Sequence, residues 1–166
     1  MNNIVLIGMP GSGKSTVGRL ISKALGRPFV DSDDYLRQLI SRDIRELFRE
    51  SEAAFRDAET EAIRQLAARD GYIIACGGGV VKRAENMELL RSTGSVIFLD
   101  RDVRCIARSV DTQGRPLLNS SADRLQQLYD ERIGLYRKYS HYTVKMPEGP
   151  EEAAASVLSL VRQKHL

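Results

Sequence analysis

The sequence predicts a single three-layer α/β/α domain with a buried sheet of five parallel strands. Five short apolar, β-branched runs alternate with helical patterns along the 166 residues, and this alternation is typical of βαβ units. Because the runs are largely apolar, both faces of the sheet are expected to be covered by helices. The predicted strands are Ile4–Ile7, Phe29–Val30, Tyr72–Ala75, Val96–Leu99 and Tyr142–Val144.

The spacing of apolar residues predicts four helices between and after these strands. The first ends where Gly26 provides a C-terminal stop, and the second ends near Gly71. The four helices are placed at Lys14–Leu25, at about residues 52–69, at about residues 121–139, and after Pro150. No internal repeat, low-complexity segment or linker interrupts the pattern, so residues 1–166 are predicted to form one domain.

Composition and charge exclude several classes of protein. The hydrophobic content of 42% and the charged content of 28% are near average for a globular protein and argue against disorder. The net charge of +3 fits either a solvated surface or a site for anions. Without a dense basic run, and with 6% aromatic residues, nucleic-acid binding is not expected. No segment has the length of a secretion signal or a membrane span, so a cytoplasmic protein without membrane contact is predicted.

The strongest functional motif is the segment Gly8–Ser15, whose sequence GMPGSGKS matches G-x-x-x-x-G-K-[ST]. A predicted strand precedes it and a predicted helix follows it. Glycines let backbone N–H groups turn inward around a phosphate, and the helix N-terminus adds a partial positive charge. Lys14 is expected to reach the β- and γ-phosphates of a nucleotide, and the Ser15 hydroxyl is expected to bind Mg²⁺. The motif predicts nucleotide binding without specifying a kinase.

Acidic residues and glycines follow the second and third predicted strands, where a parallel sheet places its ligands. The aspartates Asp31, Asp33 and Asp34 have two interpretations. Either one carboxylate supports Mg²⁺ and another orients an acceptor hydroxyl, or Asp33 or Asp34 caps the following helix. The glycines Gly77–Gly79 are interpreted as a place where something approaches the backbone closely. A flexible loop is the alternative.

Three arginines are candidates for binding anions. Arg56 shares a helix face with Glu59, and these two residues alone favour a surface ion pair. Arg115 lies in a polar segment at about 109–121, which is predicted to be a mobile lid that closes an arginine over the γ-phosphate; a solvated loop arginine is the alternative. Arg132 lies on the apolar face of its helix and therefore needs a partner, either an internal carboxylate or an anionic ligand.

Together these residues resemble the shikimate kinase family along nearly the whole chain. The matching elements are, in chain order, Gly8–Ser15 followed by Thr16-Val17-Gly18, Asp31-Ser32-Asp33, Phe55-Arg56 with Glu59, Gly77-Gly78-Gly79, Arg115-Pro116-Leu117-Leu118, and Arg132 with Tyr136. The last five elements in this order are far more specific than the phosphate-binding loop alone. The resemblance implies a P-loop kinase fold with strand order 2-3-1-4-5 and a small substrate-binding subdomain at about residues 33–60.

The resemblance also implies an activity, namely transfer of the γ-phosphate of ATP to the 3-hydroxyl of shikimate in aromatic amino-acid biosynthesis. The implied catalytic residues are Lys14, Asp33 and Arg115. The implied ATP-binding residues are Gly11, Ser12, Gly13, Lys14, Ser15, Thr16, Arg115 and Arg108, of which Arg108 stacks on adenine. Ser15 and Asp31 are implied to hold Mg²⁺. The implied shikimate-binding residues are Asp33, Arg56, Gly77, Gly78, Gly79 and Arg132, with the arginines clamping the carboxylate.

The sequence departs from the family pattern within the substrate-binding subdomain. The family usually has Thr-Gly where this chain has Ile40-Ser41, and a Gly-Glu pair is missing from the segment 48–52, which is one residue shorter. Apolar Ile44, Phe48 and Phe55 resemble the wall of the shikimate pocket. The resemblance implies a monomer that binds ATP and shikimate. The alternatives are a related small-molecule kinase, such as a gluconate kinase, and a sensor that binds nucleotide or shikimate without catalysis.

Overall fold

One parallel sheet of five strands forms the centre of the molecule. The computed structural model describes residues 2–111, 120–147 and 149–166. The strands are β1 (Asn3–Ile7), β2 (Phe29–Asp31), β3 (Ile73–Ala75), β4 (Gly94–Asp100) and β5 (Tyr142–Lys145). They are arranged in the order β2-β3-β1-β4-β5, and every neighbouring pair is parallel. The predicted fold and strand order are confirmed.

Eight α-helices and one short 3-10 helix surround the sheet within the described residues. The α-helices are α1 (Lys14–Leu25), α2 (Ser32–Ile40), α3 (Ile44–Glu50), α4 (Glu52–Ala67), α5 (Ala84–Thr93), α6 (Val103–Asp111), α7 (Ser120–Tyr139) and α8 (Pro150–Lys164); the 3-10 helix is Val80–Lys82. None of these helices combines the length and the apolar character needed to cross a membrane. The four predicted helices correspond to α1, α4, α7 and α8.

The side chains of β1 show why the sheet must be covered on both sides. Val5 and Ile7 point toward the layer of α4, α5 and α7, whereas Ile4 and Leu6 point toward the layer of α1 and α8. All four side chains are fully buried. Alternate residues of a strand face opposite sides, so a continuous apolar run is what a central strand between two helical layers requires.

The helices α2, α3 and the start of α4 form a small unit beside the sheet with a core of its own. Leu36, Ile44, Phe55 and Ala62 are buried together there. This unit contains the segment at about residues 33–60, whose role as a substrate-binding subdomain stays a prediction. The predicted lid at about 109–121 begins within the end of α6 and ends within the start of α7. Residues 112–119, including Arg115, lie outside the described residues.

Candidate active site

The phosphate-binding loop connects β1 to α1 at the carboxyl edge of the sheet. Gly11 and Gly13 have φ angles of 74° and 88°, a left-handed region that residues with a side chain rarely adopt. The buried Lys14 turns back over the loop, where Nζ donates to the carbonyl oxygens of Gly8 at 2.9 Å and Met9 at 2.7 Å. The lysine charge is thus fixed at the place where the loop would receive a phosphate.

The electrostatic surroundings of Lys14 connect it to the other predicted site residues. Burial lowers the pKa of Lys14 to about 8, and the negative charges of Asp33 and Asp31 oppose this fall. The positive charge of Arg132 acts in the same direction as burial. An anionic phosphate beside Nζ would favour the charged lysine and raise its pKa again.

Asp31 holds the beginning of α2 and contacts the phosphate-binding loop at the same time. Its Oδ1 accepts hydrogen bonds from the backbone N–H groups of Asp33 at 2.9 Å and Asp34 at 3.2 Å. Its Oδ2 accepts from the Ser15 hydroxyl. The helix cap is therefore Asp31, and the alternative in which Asp33 or Asp34 caps this helix is wrong. Because Asp31 provides the cap, the side chain of Asp33 remains available for another contact.

The Ser15 hydroxyl and the Asp31 carboxylate are the oxygen ligands in this part of the site that suit Mg²⁺. Among the described residues no cluster of three or more histidines, cysteines or carboxylates forms a metal cage. Mg²⁺ in phosphoryl-transfer sites is usually bound by one or two protein oxygens together with water and the phosphates of the substrate. The adjacent oxygens of Ser15 and Asp31 fit that kind of site.

One cavity of 500 Å³ joins the phosphate-binding loop to the acidic start of α2 and to the glycines after β3. Asp33 is half-buried in it, and burial together with the neighbouring charge of Asp31 raises the pKa of Asp33, while Lys14 lowers it. The cavity is lined by Pro10, Gly11, Gly13, Lys14, Ser15, Thr16, Asp31, Asp33, Cys76, Gly77 and Gly78. Most of the residues predicted from the sequence to bind phosphate, metal and acceptor are thus brought together.

Each of the three consecutive glycines makes room for a different part of the site. A Cβ on Gly77 would lie 2.7 Å from Oδ1 of Asp33, and one on Gly78 would lie 2.6 Å from Cδ of Pro10. A Cβ on Gly79 would lie 2.6 Å from the Arg56 guanidinium. The close approach expected at these glycines is therefore made by the protein itself.

Arg56 and Glu59 form a buried ion pair next to this glycine loop. The Nη1 atom of Arg56 donates to Oε1 of Glu59 at 2.8 Å and to the carbonyl oxygen of Gly79 at 3.2 Å. The two side chains are only 9% and 5% exposed, so the interpretation as a surface ion pair is wrong. Burial raises the pKa of Glu59, and the charge of Arg56 opposes this rise. The Nε atom of Arg56 is buried without a hydrogen-bond partner among the described residues, although Oε1 of Glu52 lies 3.7 Å from it, and donor capacity remains on the guanidinium.

Arg132 lies half-buried on α7, and its positive charge affects the pKa values of nearby groups. Its positive charge opposes the rise that burial causes in the pKa of Glu59 and in the pKa of Tyr136. Among the described residues, no carboxylate forms an ion pair with Arg132 as short as the 2.8 Å pair between Arg56 and Glu59. Arg132 hydrogen-bonds with the Tyr136 hydroxyl, and a carboxylate or an anionic ligand as its charged partner stays a prediction.

Arg108 lies away from the phosphate-binding loop. Its side chain is exposed, and Nη2 donates to Sγ of Cys105 at 3.3 Å. It lines a separate cavity of 570 Å³ with Asp102, Arg104 and Cys105. The implied contact between Arg108 and adenine stays a prediction.

A second cavity of 300 Å³ adjoins the phosphate-binding loop and contains Arg101, a residue that sequence reasoning missed. The Nη2 atom of Arg101 donates to the Ser109 hydroxyl at 3.0 Å, and Nε is buried without a hydrogen-bond partner among the described residues. Its position in the sequence could have identified it, because Arg101 directly follows β4, and the carboxyl ends of parallel strands form the ligand-binding edge of the sheet. The lining residues are Gly11, Ser12, Gly13, Thr16, Val17, Arg101, Ser109, Met146, Pro147, Gly149 and Pro150.

The predicted apolar wall lies on the subdomain. Ile44, Phe48 and Phe55 line a cavity of 350 Å³ together with Arg45 and Arg49. The ring of Phe48 is 42% exposed and meets Phe55 edge-on at 5.3 Å between centroids. A large exposed aromatic ring beside a buried arginine is suited to cover the apolar face of a small ring-shaped ligand.

A phosphate-binding loop that opens toward carboxylates and a buried arginine defines the molecule as a P-loop kinase of small molecules. The model of the family described as shikimate kinase matches residues 10–162. A shikimate kinase of Clostridium botulinum (strain Alaska E43 / Type E3) is 47% identical over 143 residues, which cover 86% of this chain and 87% of the relative. The chain belongs to the shikimate kinase family.

Solved structures give the same result at the level of the fold. A shikimate kinase from Acinetobacter baumannii in complex with shikimate superposes with a TM-score of 0.91 at 33% identity, covering 100% of this chain and 96% of that one. A gluconokinase from Sinorhizobium meliloti has a TM-score of 0.63 at 22% identity, covering 99% and 95% of the two chains. The second likeness concerns the fold alone.

Proposed function

We propose that the protein transfers the γ-phosphate of ATP to the 3-hydroxyl of shikimate, giving ADP and shikimate 3-phosphate in aromatic amino-acid biosynthesis. The observation that carries the proposal is the 500 Å³ cavity in which the phosphate-binding loop faces Asp33 and the glycine loop. Phosphoryl transfer depends on positioning and on neutralising charge. A cavity with Lys14 on one side and a carboxylate on the other offers both.

The nucleotide half of the reaction is assigned to the loop and the cavity beside it. The triphosphate would follow the backbone N–H groups of Gly11–Thr16, and the nucleoside would occupy the 300 Å³ cavity that contains Arg101. Ser15 and Asp31 would hold Mg²⁺, which supplies positive charge to the β- and γ-phosphates when it is bound. Lys14 adds a fixed charge to the γ-phosphate as it is transferred.

The acceptor half is assigned to the subdomain and the glycine loop. Arg56, held by Glu59, and Arg132 would bind the carboxylate of shikimate through charge-assisted hydrogen bonds. Asp33 would accept a hydrogen bond from the 3-hydroxyl and orient it toward the γ-phosphate, and would take its proton as the new bond forms. By resemblance, Arg115 and Arg108 would close over the nucleotide and exclude water.

A single chain contains all of these residues, so the proposal includes a monomer, acting in the cytoplasm. The main alternative acceptor is gluconate, and the alternative class is a sensor that binds without catalysing. The buried Arg56 beside the glycine loop favours shikimate, because a fixed ring bearing a carboxylate can meet both the arginine and the backbone at once.

The test is a coupled assay of ADP release with Mg·ATP and shikimate, run beside gluconate, quinate and no acceptor. We expect release that requires shikimate and is lost in Lys14→Ala. Release only with another acceptor would retain the kinase and reject shikimate. Folded protein that binds ATP but releases no ADP with any acceptor would favour the sensor.

A further inference from the structure

Tyr136 connects α7 to the glycine loop through one short hydrogen bond. Its side chain is fully buried and stacks on Phe98, with 5.0 Å between ring centroids and 19° between the ring planes. The phenol hydroxyl donates to the carbonyl oxygen of Gly78 at 2.6 Å. The ring is thus fixed by the core, and besides the Gly78 carbonyl its hydroxyl contacts Sδ of Met9 at 4.0 Å and hydrogen-bonds with the side chain of Arg132.

That hydrogen bond determines the direction of the peptide between Gly78 and Gly79. In a planar trans peptide the C=O and the following N–H point in opposite directions. Because the Gly78 carbonyl points to the buried Tyr136, the Gly79 N–H points away from it. A Gly-Gly peptide has no Cβ on either side to oppose rotation, so its own sterics do not select this direction.

The neighbouring amides show which N–H groups remain for a ligand. The Gly77 N–H donates to the Ser32 hydroxyl at 3.0 Å, and the Val80 N–H donates to the Gly77 carbonyl at 3.1 Å. Neither Gly78 nor Gly79 donates its N–H to any group in residues 2–111, 120–147 or 149–166. Gly79 is also the residue whose Cα faces the Arg56 guanidinium.

We propose that Tyr136 is a positioning residue for acceptor binding. Its hydroxyl holds the Gly78 carbonyl so that the Gly79 N–H and the Arg56 guanidinium present hydrogen-bond donors to the same carboxylate. This inference rests on the proposed function, because the acceptor is taken to be shikimate. It assigns to Tyr136 a role in the affinity for the acceptor and none in the affinity for ATP.

The substitution Tyr136→Phe tests the role, because Phe keeps the ring stacked on Phe98 and removes only the hydroxyl. We expect the KM for shikimate to rise roughly tenfold, as for one lost hydrogen bond to a charged group. The KM for ATP should stay unchanged. Tyr129→Phe is the matched control on the same helix, since its hydroxyl lies 3.5 Å from Asp100 and outside the acceptor cavity.

A binding experiment separates this inference from the activity. Protein labelled with ¹⁵N-glycine is titrated with shikimate alone, and the amide resonance of Gly79 is followed in wild type and in Tyr136→Phe. We expect a shift of the Gly79 resonance in wild type that is weakened in the variant, whereas Gly11 and Gly13 respond equally to ADP in both proteins.

Three outcomes would overturn the inference. The first is a Gly79 resonance that does not respond to shikimate in wild type, a result that does not depend on whether the variant folds. The second is a wild-type KM for shikimate in Tyr136→Phe, and the third is an equal rise in the KM for shikimate and for ATP. Absence of ADP release in wild type would instead reject the proposed function, and the shikimate titration would still test the position of Gly79.

Discussion

Arg56 shows how a buried charge is kept in place for a ligand. An unpaired buried guanidinium would be costly, and Glu59 offsets that cost with a single hydrogen bond of 2.8 Å. A guanidinium carries five N–H donors, so one carboxylate does not saturate it. With Glu59 at 2.8 Å and Glu52 at 3.7 Å, the guanidinium still has donors that could serve the carboxylate of the proposed acceptor.

The substitution Arg56→Ala is expected to raise the KM for shikimate by roughly 10- to 100-fold, since hydrogen bonds to charged groups contribute about 1.5–3 kcal/mol. The KM for ATP should change little. Arg64→Ala is the control on the same helix, because Arg64 pairs with Glu61 and Glu85 on the surface, where such pairs contribute little. Steady-state kinetics with each substrate varied in turn measures both values. An equal effect of the two substitutions would contradict the assignment of Arg56.

Arg101 supports a second prediction at the scale of single residues. In the part of the chain that the structure describes, the buried Nε atom has no hydrogen-bond partner, and the side chain lines the cavity next to the phosphate-binding loop. We expect Arg101→Ala to weaken the binding of ADP about tenfold, as for the loss of a charge-assisted hydrogen bond. The binding of inorganic tripolyphosphate, which has no nucleoside, should be unchanged.

The control for Arg101 is Arg104→Ala. Arg104 is 86% exposed and pairs with Asp102 outside this cavity. Isothermal titration of ADP and tripolyphosphate compares the two variants with wild type. Equal weakening of both ligands in Arg101→Ala would assign Arg101 to the phosphates, and no weakening of either would exclude it from the nucleotide site.

At the scale of elements, the start of α2 depends on the same carboxylate that is proposed to support Mg²⁺. Asp31→Asn keeps an oxygen that accepts from the backbone, whereas Asp31→Ala removes the cap. We expect Asp31→Ala to lower the free energy of unfolding by about 1 kcal/mol and Asp31→Asn to change it little. Urea unfolding measures the difference.

Both substitutions of Asp31 are expected to reduce ADP release, because each removes the negative charge beside Ser15. The two roles of Asp31 are thereby separated: the stability measurement reports on the helix cap, and the activity measurement reports on the proposed support of Mg²⁺. If Asp31→Asn kept full activity, support of Mg²⁺ by this carboxylate would be rejected. If Asp31→Ala were as stable as wild type, the cap would be of no energetic importance.

His141 extends the hydrogen bonding of β5 by one position. Its backbone N–H donates to the Val96 carbonyl at 2.8 Å, and its Nδ1 accepts from the Val96 N–H at 2.9 Å. Nδ1 must be unprotonated to accept this bond. Burial, together with the charge of Arg91, lowers the pKa of His141. The unfolded chain therefore takes up the proton first as the pH falls, and stability is lost from about pH 6.5 downward until the folded protein is also protonated.

The substitution His141→Asn is expected to flatten this pH dependence, because the amide oxygen accepts the same bond without titrating. Urea unfolding midpoints between about pH 7.5 and pH 5.5 should fall more steeply in wild type than in the variant. His165→Asn is the control, since His165 has φ 54°, a conformation that Asn tolerates. Parallel slopes in wild type and His141→Asn would reject the contribution of His141.

Two of the helices that the sequence did not predict, α2 and α3, were missed for different physical reasons. α3 is two turns long, which is too short for an apolar period to repeat, and α2 begins at the residue after β2, without a turn between them. The central strands β1, β3 and β4 were predictable because a strand buried on both faces needs a continuous apolar run.

Arg56 and Glu59 were wrongly interpreted as a surface ion pair because the elements that cover them were not predicted. A spacing of three residues shows that two side chains share a helix face, but not what covers that face. The cover comes from the glycine loop, 23 residues along the chain from Arg56, and from the small unit of α2 and α3. The position of Asp33 was predictable, since it follows a strand, whereas the contacts of the glycines with Asp33, Pro10 and Arg56 depend on tertiary packing.

At the scale of the whole molecule, two half-sites meet at the edge of one sheet. The proposed nucleotide side is the loop between β1 and α1, and the proposed acceptor side is the small unit of α2, α3 and the start of α4. The sheet is common to both, because β1 leads into the phosphate-binding loop and β3 leads into the glycine loop. Each half-site should therefore bind its ligand alone and stabilise the whole domain.

Thermal unfolding with each ligand separately tests this division. A ligand at about one hundred times its dissociation constant stabilises the folded state by about 2.7 kcal/mol, which for a chain of this length raises the midpoint by roughly 5–10 °C. We expect shikimate to protect wild type and Lys14→Ala but not Arg56→Ala, and ADP to protect wild type and Arg56→Ala but not Lys14→Ala. Because no turnover is needed, the result holds for an enzyme and a sensor alike. Loss of both protections in either variant would show that the two half-sites form one inseparable unit.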